Sequence, residues 1–394
     1  MRDRFDGSFT QQEPLGEEEI AAAVAVLRSG RLHRYNTAPG EIGAAAELER
    51  DYAAWQGAAY CLACASGGAA MQMALRAVGV RTGDPVLTNA WTLSPVPGAI
   101  VAAGGVPVLV ETTRALVPDL DHLDRVAGES RAKVLLLSLM RGHLPDMDAL
   151  MRLADRHGLA VIEDCAHSMG ARWNGRRSGS FGVAGCFSTQ TYKHMNSGEG
   201  GLLTSDDAGL MARATILSGS YMLYDRHVAG PGVEAFTDAR LDMPNCSSRM
   251  DNLRAAILRP QLRRLDANIA RWEERYRAVE AALRRAPAIE VIERPAQEVF
   301  VGSSIQFLRP GIDAAGAAAF LDRCAARGVE MKWFGAQEAS AFTSSHRNWR
   351  SVPAQNLPQS DAVLAELFDL RLPLTFSLGD CDLVGRIIAD CAGA

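Results

Sequence analysis

Lys193 is one of only three lysines in this chain, with Lys133 and Lys332, among 41 basic residues. The other 38 are arginines. A primary amine condenses with an aldehyde to give a Schiff base, and a guanidinium does not. Lys193 ends the stretch Phe187-Ser188-Thr189-Gln190-Thr191-Tyr192-Lys193 and precedes the glycine-rich turn Gly198-Glu199-Gly200-Gly201. It lies 29 residues after Asp164, which ends the apolar run Leu159-Ala160-Val161-Ile162-Glu163-Asp164. An acid at a strand end and an isolated lysine are what a pyridoxal phosphate (PLP) site needs. From scarcity alone Lys193 reads equally well as a surface lysine in a loop. The neighbouring motifs break the tie.

Such a site asks four things of a protein: an amine for the aldehyde, an acid for the ring nitrogen, a cradle for the phosphate and a surface against the ring. Asp164 suits the second role, because ligands of parallel sheets sit beyond the carboxyl ends of the strands. A carboxylate there keeps the pyridine nitrogen protonated. Taken alone, Asp164 would read as a helix cap. His167, three residues on, could bond the 3-hydroxyl or stack on the ring; a lone histidine also reads as a satisfied structural residue. Ser66-Gly67-Gly68 opens a helical run and leaves backbone N–H groups for a phosphate, with Ser188 as a hydroxyl donor. Most such turns merely connect elements.

These residues depend on elements to carry them. Strand-like runs fall at 59–64, 85–89, 106–111, 133–138, 159–163, 184–188 and 200–204. Helical patterns fall at 17–27, 42–55, 67–78, 93–103, 119–127 and 146–157. The alternation predicts an α/β domain with a mostly parallel seven-stranded sheet covered on both faces. A long charged helix over 251–282 follows, then strands within 289–310 and 327–333 and helices near 314–326, 360–368 and 380–391. The expected division is a large PLP-binding domain at 15–250 and a connecting helix with a smaller α+β domain at 251–394. Residues 1–14 are expected beside the latter.

The net charge of −5 gives no electrostatic footprint for nucleic acid. No signal-peptide pattern or membrane-span run is visible, so the chain reads as soluble and cytoplasmic. Its eight scattered cysteines read as reduced thiols. Cys61 and Cys64 form a C-x-x-C inside an apolar run, with no second pair to complete a metal site, so they read as core and no metal is expected.

The ordered blocks Glu163-Asp164-Cys165-Ala166-His167-Ser168-Met169-Gly170, Gly179-Ser180-Phe181-Gly182, Cys186-Phe187-Ser188, Lys193 and Gly198-Glu199-Gly200-Gly201 resemble the DegT/StrS family of PLP-dependent aminotransferases. Weaker matches carry the resemblance over residues 15 to 285. It implies an aspartate-aminotransferase-like fold and a homodimer with shared active sites. It assigns Lys193 to the Schiff base, Asp164 to the ring nitrogen and His167 to the 3-hydroxyl. Gly67, Gly68 and Ser188 would hold the phosphate, and Asn245 would reach it from the neighbouring subunit. Three departures stand out. Gly68 replaces a threonine that is frequent in the family. The ring-stacking aromatic falls on Leu93, which leaves Trp91 to stack or to serve as core. Arg141 puts a cation, able to hold a carboxylate or phosphate, where an aromatic is common.

The resemblance implies transfer of an amino group from an amino acid, glutamate or glutamine, to a carbonyl acceptor such as a keto-sugar or ketocyclitol, often in secondary metabolite biosynthesis. Tyr35, Arg141, His143, Lys332 and Trp333 are candidate substrate contacts. Another PLP reaction on the same scaffold (dehydration, elimination or decarboxylation) stays open. Sugar dehydratases of this resemblance carry histidine in place of the lysine, which argues against that branch. A non-catalytic regulator would need neither the lysine nor the acid.

Overall fold

The computed structural model describes residues 3–340 and 345–393. Seven strands form the main sheet, in the order Tyr60–Cys64, Gly201–Ser205, Ala184–Ser188, Ala160–Asp164, Val134–Ser138, Pro85–Asn89, Val106–Val110. Gly201–Ser205 runs antiparallel to both of its neighbours, and the remaining pairs are parallel. The seven runs read from the sequence are these seven strands.

The sheet is apolar on both faces because period-two alternation sends successive side chains to opposite sides. Leu135 and Leu137 join Val161, Phe187 and Leu202 in the core on one face. Leu136 joins Leu62, Ile162, Cys186 and Leu203 on the other. Each fully buried leucine or isoleucine contributes about 1.5–3 kcal/mol. Register aligns Ser138 with Asp164 and Asp164 with Cys186. Six strands therefore end along one edge. The loops after Cys64, Asn89, Ser138, Asp164 and Ser188 leave that edge together.

The helix Asn252–Leu283 starts where Asp251 accepts the Arg254 N–H. Its first half packs Leu258, Leu262 and Leu265 into the large core. Its second half packs Tyr276, Val279 and Leu283 into a separate one, which Phe5 and Phe9 join. That second core lies behind an antiparallel sheet ordered Glu290–Val291, Ser304–Leu308, Leu367–Arg371, Lys332–Trp333.

Two readings need correction. The helix expected near 360–368 spans Pro358–Glu366 and gives way to the strand Leu367–Arg371. Phe368-Asp369-Leu370-Arg371 alternates with period two, and the small core takes Phe368 and Leu370. Helices Ala208–Ser218 and Phe236–Asp242 were not foreseen from the sequence.

Candidate active site

The edge formed by the strand ends gathers the expected chemistry. The Lys193 amine lies 2.7 Å from Nε2 of His167. Asp164 accepts the Ala166 N–H through Oδ1 and the Ser138 hydroxyl through Oδ2, both at 3.1 Å. Ser138 in turn accepts the Thr92 hydroxyl at 2.7 Å. Burial raises the pKa of Asp164, and the Ala166 N–H, the Lys193 charge and Ser138 oppose that rise. Burial, with Lys193 and Arg141 nearby, pushes His167 well below its usual range, so its ring is neutral. Burial and the Arg141 charge, against the pull of Asp164, bring Lys193 down to about 7. A neutral amine within reach of a carboxylate is a nucleophile ready for an aldehyde.

The turn Ser66-Gly67-Gly68 lies against Ser188. A Cβ on Gly67 would stand 2.9 Å from the Ser188 Cβ, so no side chain fits there. The helix Gly67–Ala77 begins at this point, and its N-cap Ser66 accepts the Ala69 N–H at 3.0 Å. Among the described residues, no acceptor takes the N–H groups of Gly67 and Gly68. A helix N-terminus with free N–H groups beside a serine suits a phosphate. The amine, the acid and this cradle are the donor set that PLP requires.

Several other candidates lie elsewhere. Trp91 is 1% exposed and packs its ring in T-shaped contacts with His143 and Phe334. Leu93, half-buried, is the residue that follows Thr92. His143 is buried and hydrogen-bonds Gln306 Oε1 at 2.9 Å, bracing the small sheet against the large domain. Trp333 donates to the Ala365 carbonyl and stacks on Phe368, on the opposite face of its strand from Lys332. Tyr35 is buried with its hydroxyl 2.7 Å from His227 Nε2. It belongs to a network in which Arg34 pairs with both oxygens of Glu49 at 2.8 Å. These four are held by packing where the sequence suggested substrate contacts or stacking. Asn245 is exposed and accepts the Ser247 N–H.

Arg141 is buried beside the site. It follows strand Val134–Ser138 in a loop whose Leu139 N–H bonds the Asp164 carbonyl at 3.0 Å. Its φ of 53° is left-handed, as is that of Gly142 at 73°. A Cβ on Gly142 would press the His167 carbonyl at 2.9 Å, which makes glycine obligatory there. Arg141 donates to Asp369 at 2.5 Å. The sequence reading missed Thr92, Ser138, Asp369 and Arg371. The alternation over 367–371 was the available signal for the last two; Thr92 and Ser138 had none.

The model of the DegT/DnrJ/EryC1/StrS aminotransferase family matches residues 13–389. The chain belongs to this family. Among relatives of this DegT/DnrJ/EryC1/StrS member is an L-glutamine:2-deoxy-scyllo-inosose aminotransferase of Streptoalloteichus tenebrarius, 35% identical over 63% of this chain and 58% of that protein. A GDP-perosamine synthase of Caulobacter vibrioides is 33% identical over 58% of each chain. The chain thus spans about 58% of the length of these curated relatives. Among solved structures, 3-amino-5-hydroxybenzoic acid synthase superposes with a TM-score of 0.82 at 25% identity, covering 100% of both chains. Among the described residues, no cluster of His, Cys, Asp or Glu could hold a metal, and no helix is long and apolar enough to cross a membrane. All eight cysteines are free, and Cys61 and Cys64 are buried in their strand.

Proposed function

We propose that this protein is a PLP-dependent aminotransferase that moves an amino group from glutamate or glutamine to a carbonyl acceptor of keto-sugar or ketocyclitol type. The observation that carries the reading is the Lys193 amine at 2.7 Å from a neutral His167, in electrostatic contact with Asp164. The named activities of the aminotransferase relatives support it.

Bound PLP supplies an electron sink for the α-carbon of the amino substrate. Gly67, Gly68 and Ser188 would hold the phosphate. The Asp164 carboxylate, steadied by Ser138 and Thr92, would keep a proton on the ring nitrogen. His167 would face the ring hydroxyl. The Lys193 Nζ, neutral above about pH 7, would anchor the aldehyde and then carry the α-proton.

The active unit in this reading is a homodimer. Asn245 is exposed on one chain, and Tyr221, Met222, Val233 and Leu241 nearby in sequence are 56–79% exposed. A second copy would cover these apolar side chains and bring Asn245 to the partner's phosphate site. The large domain would span 15–250, and the connecting helix and small domain 251–394.

Borohydride treatment of the yellow protein followed by peptide mapping should place the reduced cofactor on Lys193. L-Glutamine or L-glutamate should then bleach the colour of unreduced enzyme and release the matching 2-oxo acid. Colour that persists with every amino donor would reject aminotransfer in favour of another PLP reaction. A colourless protein that takes up no PLP would leave a regulator, a role carried in the name of a 33% identical relative from Geobacillus stearothermophilus.

A further inference from the structure

Lys193 also lines a cavity of about 80 Å³ that neither Asp164 nor His167 reaches. The buried His194 and Trp272 share its wall with Lys193. Gln12 and the exposed Glu13 and Arg264 form another part of that wall, so the cavity opens to solvent. Helix Asn252–Leu283 fixes the loop that carries His194. Its Gln261 accepts the Asn196 N–H and donates to the Asn196 carbonyl, both at 2.8 Å. His194 is 6% exposed. Its Nε2 meets the Ser303 hydroxyl at 3.0 Å, and its ring makes a T-shaped contact with Trp272. Its Nδ1 has no hydrogen-bond partner among the described residues, and neither has Nε2 of Gln12. A buried polar atom left alone is costly, and whichever ring nitrogen carries the proton, Nδ1 calls for a partner.

We propose that this cavity is a water chamber through which the Lys193 amine exchanges protons with solvent, with His194 and Gln12 positioning the water. The inference rests on the aminotransferase reading of the site. Size and charge both select water. The cavity has room for several waters at roughly 10–15 Å³ each. It falls well short of the roughly 300 Å³ of a small-molecule pocket. The charges at its rim are already paired, Glu13 with Arg271 at 2.6 Å and Arg264 with Glu19, which leaves no ion to attract. His194 lies within electrostatic reach of the amine: burial, then the Lys193 charge, lowers it to about 3. Its neutral ring therefore offers Nδ1 to water without setting a second charge beside an ammonium. The exchange needs no further reactant. Nζ takes the proton from the α-carbon and becomes an ammonium. One of its three protons passes to a chamber water, and a solvent proton returns to Nζ along the same waters. Nothing is oxidised or reduced.

Single-turnover bleaching of the holoenzyme with α-deuterated L-glutamate or L-glutamine tests the chamber, read as the mass of the pyridoxamine phosphate formed. An ammonium holds three equivalent hydrogens, so without exchange at most about one deuteron in three reaches the cofactor. The parent enzyme should deliver under about one in ten, because water dilutes the label first. His194→Phe removes Nδ1 and should raise delivery toward the ceiling. Gln12→Leu should move it the same way, and it decides the matter if the first variant does not fold. His194→Asn keeps a polar atom near the Nδ1 position and should keep the parent value. Delivery at the ceiling in the parent, or no rise in either His194→Phe or Gln12→Leu, overturns the proposal. If neither amino acid bleaches the enzyme, it is the aminotransferase reading that fails. A high-resolution crystal structure of the holoenzyme then decides the chamber: water on His194 Nδ1 keeps it, and a dry cavity overturns it.

Discussion

The Nζ of Lys193 lies 2.7 Å from Nε2 of His167, and the same burial lowers the proton affinity of both. Neither group could hold a proton cheaply beside the other and beside Arg141. The pair is thereby poised with a neutral imidazole hydrogen-bonded to an amine that is largely neutral at pH 8.

Cofactor capture by the apoprotein should follow this charge state. With Lys193 at about 7, the neutral fraction falls about tenfold for each pH unit below 7 and levels off above about 8. Stopped-flow absorbance of PLP binding across pH 5.5 to 9, taken as rough limits, should trace that curve. Arg141→Ala removes a cation and frees Asp369 from its contact with that cation, and both changes favour the protonated amine. Its midpoint should move up by about one unit. A midpoint near that of free lysine in the parent protein would remove the electrostatic account.

Asp164→Asn should keep the cofactor bound and slow turnover by about 10²- to 10⁴-fold, because the amide cannot hold the ring-nitrogen proton. Ser138→Ala removes one hydrogen bond to Asp164 and should cost about tenfold or less. The ranking of the two, read from single-turnover bleaching, is the test.

Gly67 and Gly68 should respond in opposite ways. Gly67→Ala drives a methyl into Ser188 and should weaken PLP binding by more than about tenfold. At Gly68 the nearest atom to a new Cβ is Ser66 Oγ at 3.7 Å, which leaves room. Gly68→Thr should add a hydroxyl donor and tighten PLP, with about 1.5 kcal/mol as the scale of one bond to a charged group. Equilibrium dialysis of PLP would expose a reversed order.

The Arg34–Glu49 pair is fully enclosed. Burial alone would raise the Glu49 pKa, but Arg34 and then His227 outweigh it and hold the carboxyl at about 2. A depressed carboxylate contributes stability that is complete above its unfolded value near 4.3 and lost as pH falls toward 2. Glu49→Gln strands the guanidinium and should cost about 3–5 kcal/mol. Urea midpoints at pH 7 measure that cost, and an unchanged midpoint would refute it.

Local pattern carried much of this molecule. The apolar runs marked all seven sheet strands, because strands buried on both faces read as near-continuous apolar runs, broken here mainly by polar residues at the strand ends. Lys193, Asp164, His167, Ser188 and the Ser66-Gly67-Gly68 turn were legible as candidates because such residue types stand at strand ends and turns, and the structure places them along one sheet edge. The helix expected near 360–368 takes in the first two residues of strand Leu367–Arg371, because the pattern of helix Pro358–Glu366 runs into it without a break.

What the sequence alone determined was the parallel sheet, the long helix and the residue types that converge on one amine. Tertiary structure decided the remainder. It buried Trp91 and His143, packed the half-buried Trp333 against Phe368 and tied Tyr35 to His227. It also brought Arg141, Lys332 and Arg371 from three distant parts of the chain to one place. The reason is that burial and charge proximity depend on contacts between elements far apart in sequence, which no local periodicity records.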